Sequence, residues 1–194
     1  MSDDPHRTAY DPDLTLREAR SIYFAANDFG SDGGYAKRWV RLQIGLVPVF
    51  FPNLPSRLRA VRFHDLHHVL TGYATDWRGE GEIGAWEIGA GCGRESFAWF
   101  ADLLSLVPGL LVAPRATFRA YVRGRRSRNL YGRRFDDALL ARRVGEVRRE
   151  IGLDPGDPPP RPGELWRFAG WTALGLGILL SPLLLPLGLL ALLA

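Results

Sequence analysis

The stretch RFHDLHHVLTGYATDWRGE (residues 62–80) decides the fold of this 194-residue chain. Its first part continues a helix that begins at Ser56 and ends at Gly72, because glycine is the usual residue just beyond a helix C-terminus. A turn follows over residues 74–79, and the next helix begins at about Glu80. The sequence therefore predicts two helices joined by a turn that brings the chain back on itself.

Four side chains of this stretch have the spacing of a metal site. His64 and His68 are four residues apart, so they project from one face of a helix, one turn from each other. Asp65 lies at the edge of the same arc, and the turn brings Glu80 back towards it. Two imidazoles and two carboxylates form a mixed ligand set with room for an open position, which suits zinc, iron or manganese.

Two further residues, His67 and Glu87, are candidates for side chains that contact the ligands without binding the metal. His67 points one residue away from the histidine pair, and we interpret it as a histidine that either orients a ligand or packs in the core. Glu87 lies two turns beyond Glu80, near the same face of the helix, so it is the additional acid that we consider as a support for the site.

The helix after Glu80 also carries a stripe of small residues at four-residue spacing: Ala85, Gly89 and Gly93. Small residues on one helix face let a second backbone approach closely, whereas glycine inside a helix costs about 1 kcal/mol. Two interpretations stay open from the sequence. The stripe is either a groove for the tail of a ligand or the seam of a tight helix crossing.

Hydrophobic periodicity predicts an all-α fold, because no segment shows a clear alternation of period two. The first helix opens with a capping box formed by Thr15 and Glu18. The segment LVPVFFPNLP (46–55) is predicted as a loop. The predicted helices cover residues 15–29, 34–45, 56–72, 80–106, 115–128 and 134–151.

Composition narrows the class of protein. The chain is 46% apolar and 24% charged, as in an ordinary globular protein, and its one cysteine excludes a disulfide framework and a multi-cysteine metal site. Between Arg115 and Arg149 there are twelve arginines and three acids, and from Phe168 onwards there is no charge. A basic stretch followed by an apolar tail is typical of membrane attachment, and we expect no nucleic acid partner.

The ends of the chain predict four regions. Residues 1–14 are a polar leader, residues 15–151 a compact helical metal-binding domain, and residues 152–164 a linker rich in proline and glycine. Residues 165–194 are an apolar segment long enough to reach across a bilayer. Because Pro182 and Pro186 interrupt it, we predict a membrane-associated helix or a hairpin.

The segment HDLHHVLTGYATDWRGE (64–80) resembles the metal motif of the coenzyme Q biosynthesis protein four family. In that pattern His-Asp-x-x-His is followed by eleven residues and a Glu, and here the eleven are residues 69–79. The flanking segments FFPNLPSRLRAVRFHD (50–65) and GEIGAWEIGAGC (81–92) also look like bacterial members. The resemblance covers roughly residues 15–150.

The resemblance implies a function and a location. His64, Asp65, His68 and Glu80 would hold a divalent metal, with zinc first and iron or manganese as the alternatives. The implied activity is removal of the ring carboxylate at carbon one of a polyprenylated 4-hydroxybenzoate-type precursor of ubiquinone, coupled to hydroxylation. The implied location is the cytoplasmic face of the bacterial inner membrane. The apolar tail departs from the family's peripheral attachment and predicts anchoring through the C-terminus.

Two other functions stay open at this stage. The first is a non-catalytic, lipid-binding scaffold that organises the other ubiquinone biosynthesis enzymes and holds a structural metal. As an enzyme or as a scaffold, the protein is expected to have a polyprenylated quinone precursor, membrane lipid and other ubiquinone biosynthesis enzymes as partners, and to form a homodimer. The second is a phosphohydrolase of the HD superfamily, because His-Asp is its hallmark. That superfamily needs a further upstream histidine, and this chain offers only His6.

Overall fold

The computed structural model describes residues 7–44, 47–153 and 156–193. Its architecture is mainly helical, which confirms the predicted class in its coarse form. The described residues also contain one two-stranded sheet, so the all-α prediction is wrong in that detail. The elements are α1 (Leu16–Ala26), β1 (Trp39–Ile44), β2 (Val47–Pro52), α2 (Pro55–Thr71), α3 (Trp77–Ala90), α4 (Ser96–Val112), α5 (Pro114–Gly124), α6 (Asp137–Leu140), α7 (Val144–Glu150) and α8 (Glu164–Leu193).

The helix pair predicted around residues 62–80 is present as α2 and α3. Gly72 ends α2 in the left-handed region with a φ of 80°, and a Cβ there would lie 2.8 Å from the carbonyl oxygen of Thr8. Asp76 caps α3, since its Oδ1 accepts a hydrogen bond of 2.7 Å from the backbone N–H of Gly79. These two caps fix the turn that brings the start of α3 next to α2.

The first helix is confirmed together with its cap. The backbone N–H of Glu18 donates to Thr15 Oγ1 at 3.2 Å, and the N–H of Thr15 donates to Glu18 Oε2 at 2.8 Å. The part of the predicted polar leader that the structure describes, residues 7–14, packs against the helical domain. The backbone N–H of Thr8 donates to the carbonyl of Gly72 at 2.7 Å, and Tyr10 is buried in the core.

The predicted helix over 34–45 and the predicted loop over 46–55 are wrong. An antiparallel hairpin occupies this part of the chain, and it pairs Trp39 with Pro52 and Ile44 with Val47. Gly33 and Gly34 both have φ near +70°, which blocks a helix start, and the β-branched and aromatic residues that follow favour a strand.

The single long helix predicted over 80–106 is also wrong. The chain leaves α3 at Gly91 (φ 88°) and turns again at Gly93 (φ 54°) before α4 begins. Two glycines in left-handed conformations break the helix although the apolar pattern runs through them. Likewise, the helix predicted over 134–151 is divided into α6 and α7, while the helix over 115–128 is confirmed as α5 in a shorter form.

Helix α3 lies at the centre and is crossed closely by α4 and α5. A Cβ on Gly81 would meet Gly109 Cα of α4 at 2.3 Å, and one on Gly89 would meet the Tyr121 carbonyl oxygen of α5 at 2.4 Å. Ala85 is fully buried between them, whereas Gly93 lies beyond the end of α3. The stripe Ala85, Gly89 and Gly93 therefore does not form a ligand groove, because its helical part is a packing seam.

Helix α8 begins as part of the domain. Phe168 packs on Phe118 and Tyr121 of α5, and Trp171 stacks on Trp99 of α4 with ring centroids 5.1 Å apart. The opposite face is exposed, with Trp166 showing 80% of its surface. No helix within the described ranges is both long and apolar enough to cross a membrane.

Candidate metal centre

Three predicted ligands meet between α2 and the first turn of α3. His64 Nε2 and His68 Nε2 are 3.1 Å apart. Glu80 faces both imidazoles, with one oxygen 3.6 Å from His64 Nε2 and the other 3.6 Å from His68 Nε2. The helical spacing of the histidines and the turn at Gly72 therefore bring these three side chains together, as the sequence predicted.

The spacing of these atoms fits a divalent metal. Bonds of about 2.0–2.1 Å at a tetrahedral angle separate neighbouring ligand atoms by about 3.3–3.4 Å, and the observed separations of 3.1 and 3.6 Å lie on either side of that value. Three protein ligands leave one position open, as in catalytic zinc sites. The residues present thus suit a metal of the kind predicted.

His68 is held in the tautomer that a metal needs. Its Nδ1–H donates to the carbonyl oxygen of Tyr73 at 3.0 Å, which leaves the lone pair of Nε2 directed at His64 and Glu80. Burial lowers the pKa of His68 to about 4, so the ring is neutral at pH 7. The ring of Tyr23 stacks on it at 5.5 Å and restricts its rotation.

His64 lies between two carboxylates. Its Nδ1 is 3.1 Å from Glu87 Oε1, while its Nε2 faces Glu80. Burial opposes a charge at this ring, but Glu87 and Glu80 outweigh it and raise the pKa of His64 well above 6.5. The surroundings of His64 therefore favour positive charge, which a bound cation would satisfy.

Glu87 is the centre of a hydrogen-bond cluster behind the ligands. Its Oε1 also accepts from His67 Nδ1 at 2.6 Å, and its Oε2 accepts from the Tyr131 hydroxyl at 2.8 Å. His67 Nε2 accepts the backbone N–H of Leu130 at 3.0 Å, so the proton of this ring is on Nδ1. Although burial opposes ionisation, His64 and His67 hold the pKa of Glu87 well below 4.5.

Asp65, the fourth ligand that the family resemblance implies, has a different partner. Its Oδ2 accepts the hydroxyl of Tyr35 at 2.5 Å, and it does not belong to the group of ligand atoms formed by His64, His68 and Glu80. Burial raises the pKa of Asp65 to about 6. The structure thus brings three of the four predicted ligands together and places Asp65 beside them in contact with Tyr35.

A buried acid that the sequence analysis missed lies on the other side of Glu87. Asp102 of α4 is 2% exposed, and its Oδ2 accepts the Cys92 thiol at 3.2 Å. Ligand atoms of His64, Glu87 and Asp102 lie within 4.8 Å of one another. Burial and Glu87 raise the pKa of Asp102 well above 3.8. The signal available in the sequence was an acid in the middle of the apolar helix SFAWFADLLSLV (96–107).

A cavity of about 110 Å³ opens beside the ligands. One wall is apolar and comes from small residues of α2 and α4 together with one aromatic ring. The apolar wall consists of Ala60, Val61, Phe97, Ala98 and Ala101, and the polar lining consists of His64, Glu80, Asp102, Ser105 and Tyr131. His64 and Glu80 thus belong both to the group of candidate metal ligands and to the lining of the cavity.

Fold and site together define a mainly helical protein with a candidate mononuclear metal centre next to a small cavity. Comparison with family models, with curated proteins and with solved structures gives no match for this chain. The chemistry of the site and the motif in residues 64–80 are therefore the features of this chain that indicate a function.

Proposed function

We propose that this protein is a metal-dependent decarboxylase of ubiquinone biosynthesis. Its substrate would be a polyprenylated 4-hydroxybenzoate-type precursor that loses the carboxylate at ring carbon one, with dioxygen as the oxidant where hydroxylation accompanies the loss. The observation that carries the proposal is the convergence of His64, His68 and Glu80 at the edge of a cavity. The motif that resembles the coenzyme Q biosynthesis protein four family supplies the substrate class.

The residues of the chain have separate tasks in this reaction. His64, His68 and Glu80 would hold zinc, or iron or manganese, and a bound metal supplies a Lewis acid for an oxygen of the substrate head group. Glu87 fixes the ring of His64 through its Nδ1, and the Tyr73 carbonyl fixes His68 in the same way. The apolar wall around Phe97 excludes water from the ring of the substrate.

The proposal includes the membrane, which supplies the prenylated substrate. We infer attachment to the cytoplasmic face of the inner membrane through the apolar segment 165–194. The support is the lack of charge after Arg167, the exposed Trp166 at the start of α8, and the basic stretch upstream. Other ubiquinone biosynthesis enzymes and a second copy of the chain are the proposed protein partners.

The test combines metal content with turnover. Detergent-purified protein is analysed for zinc, iron and manganese, and carbon dioxide release is measured with a short-chain prenylated 4-hydroxybenzoate in air and under argon. We expect about one metal per chain and release of carbon dioxide from the wild type. Glu80→Gln and His68→Ala remove a ligand each, so both variants lose metal and turnover.

Glu146→Gln is the matched control, because Glu146 is exposed on α7, far along the chain from the ligands. It should retain wild-type metal content and turnover. A wild type that binds metal through these residues but releases no carbon dioxide would contradict the decarboxylase and favour the lipid-binding scaffold. Metal content that is unchanged in Glu80→Gln and His68→Ala would contradict the site itself.

A further inference from the structure

A second cavity, the arginine cavity, lies between α5 and the proline-rich segment that leads to α8. It measures about 180 Å³ and is lined by Arg115, Phe118, Arg119, Val122, Pro158 and Pro160. Arg115 and Arg119 are four residues apart, so their side chains leave the same face of α5 one turn from each other. The arginine cavity therefore combines two guanidinium groups with an apolar lining.

The described part of the chain does not neutralise the charge of these two arginines. Both side chains are exposed, and no acid among the described residues forms an ion pair with either of them. Residues 103–135 contain eight arginines and no acid. Of the described acids that flank the two lining prolines, Asp157 pairs with Arg7 at 3.1 Å, and Glu164 pairs with Arg126. The arginine cavity therefore favours an anion.

Exposed apolar side chains border the two arginines on both sides. Just before α5, at the end of α4, Leu111 shows 82% of its surface and Val112 more than half. On the other side, Phe118 packs on Phe168 near the start of α8, with ring centroids 5.3 Å apart, and Trp166 is exposed there. A water-soluble anion would leave these apolar side chains in water, whereas an anionic lipid would cover them.

We propose that the arginine cavity binds the phosphate group of an anionic phospholipid, with Arg115 and Arg119 as the phosphate-binding residues. Guanidinium groups hold phosphate oxygens through paired N–H donors. An engineered cavity of about 150 Å³ holds benzene, so a cavity of about 180 Å³ has room for a phosphodiester head group.

The inference rests on the membrane attachment in the proposed function and deepens it, since it names the class of lipid and the residues that recognise its head group. Two arginines alone give weak and reversible binding to a bilayer, so the apolar segment 165–194 remains the anchor. The arginine cavity makes the strength of the attachment depend on the charge of the lipid.

The test compares binding to charged and neutral vesicles. Full-length protein is mixed with vesicles of phosphatidylcholine, or of phosphatidylcholine and phosphatidylglycerol in equal amounts, and the bound fraction is measured by flotation at physiological ionic strength. We expect the wild type to bind the mixed vesicles roughly 25-fold more tightly, because each arginine at an anionic surface contributes about fivefold in affinity.

Two double variants assign this preference to the arginine cavity. Arg115→Gln combined with Arg119→Gln should bind both kinds of vesicle with nearly equal affinity, because the phosphate loses both cationic partners. Arg134→Gln combined with Arg149→Gln is the matched control, since these arginines are also exposed, carry the same charge and lie outside the cavity lining. The control should keep the wild-type preference. All three proteins should bind pure phosphatidylcholine equally and show the same helix content by circular dichroism.

The outcomes separate this inference from the proposed attachment. Equal binding of the wild type to both kinds of vesicle would overturn the inference and leave attachment through the apolar segment intact. Calorimetry with inorganic phosphate would then show whether a soluble phosphate compound occupies the cavity instead. An equal loss in both double variants would also overturn the inference, because it would assign the preference to diffuse basic charge. No binding to either kind of vesicle would contradict the inference and the proposed attachment together.

Discussion

Glu87 shows how much a single buried carboxylate determines at the scale of the residue. It accepts hydrogen bonds from His64, His67 and Tyr131, which come from α2 and from the segment after α5. With Glu87 as the acceptor at Nδ1, the Nε2 of His64 is the nitrogen that a metal would bind in place of a proton. The orientation of the ligand thus depends on an acid that does not itself reach the group formed by His64, His68 and Glu80.

Replacing Glu87 by Gln should weaken metal binding without removing a ligand. The amide keeps one acceptor oxygen but brings an NH₂ group against a donor, so His64 loses its fixed orientation. We expect the zinc affinity of Glu87→Gln to fall about 10- to 100-fold, against a larger loss in Glu80→Gln. Competition with a chromophoric chelator measures both affinities.

The exposed Glu146→Gln variant again provides the control for an equal change of charge, and its zinc affinity should equal that of the wild type. Circular dichroism should show the same helix content in all of these proteins. A Glu87→Gln variant with wild-type zinc affinity would show that Glu87 does not orient His64.

Helical spacing explains which residues of the site could be predicted from the sequence. His64 and His68 share one face of α2 by their spacing of four, and Gly72 predicts the turn that returns Glu80 to them. The contact of Asp65 with Tyr35 and the position of Asp102 depend on packing between segments distant in the chain. No periodicity within one helix contains that information, so these two environments needed the structure.

At the scale of the element, glycine decides how closely the central helices approach. Gly81 of α3 and Gly109 of α4 face each other where the two helices cross, and Gly124 of α5 would place a Cβ 2.1 Å from the Trp86 carbonyl oxygen. This close approach brings Asp102 of α4 beside Glu87 of α3. The crossing is therefore a condition for the cavity as well as for the core.

A methyl group at Gly81 should separate α3 from α4. Its Cβ would lie 2.3 Å from Gly109 Cα, a backbone atom that cannot move alone. We expect Gly81→Ala to lower the free energy of unfolding by about 1–3 kcal/mol and the melting temperature by several degrees. Thermal unfolding followed by circular dichroism measures the change.

Gly170→Ala is the matched control, since Gly170 is also helical but has no atom within 4 Å of its Cβ position. There the helix propensity of alanine should dominate and stabilise the protein by up to about 1 kcal/mol. If Gly81→Ala is as stable as Gly170→Ala, the crossing is looser than the structure indicates.

The elements that the sequence analysis missed share a physical cause. The hairpin of β1 and β2 contains Pro48 and Pro52 among apolar residues. It pairs Trp39 with Pro52, which are thirteen positions apart, and a search for helical periodicity within one short segment does not detect such a pairing. The break between α3 and α4 depends on the conformations of Gly91 and Gly93, which an uninterrupted apolar pattern hides. Hydrophobic periodicity predicted α1, α2 and α5 correctly and failed where the backbone conformation decides.

At the scale of the whole molecule, the packing of α8 joins the apolar C-terminal region to the helices that carry the candidate metal centre. Phe168 and Trp171 contact α5 and α4, and a Cβ on Gly175 would lie 2.3 Å from the Leu103 carbonyl oxygen of α4. Helix α4 also carries Asp102. Helix α4 therefore contacts α8 and also contributes part of the cavity wall, so it connects these two regions of the molecule.

This arrangement predicts that shortening the chain in two places has different effects. A chain that ends at Pro182 keeps Phe168, Trp171 and Gly175, so its melting temperature should equal that of the full chain. A chain that ends at Gly163 uncovers Trp99 and should unfold at a lower temperature.

Flotation with vesicles rich in phosphatidylglycerol tests whether the apolar tail binds the membrane. We expect the full chain to float and the chain ending at Pro182 to remain at the bottom, since a shortened apolar segment loses its hold on the bilayer. If these two proteins float equally, the membrane contact lies in another part of the molecule. An unchanged melting temperature would show that the shortened chain is still folded in that experiment.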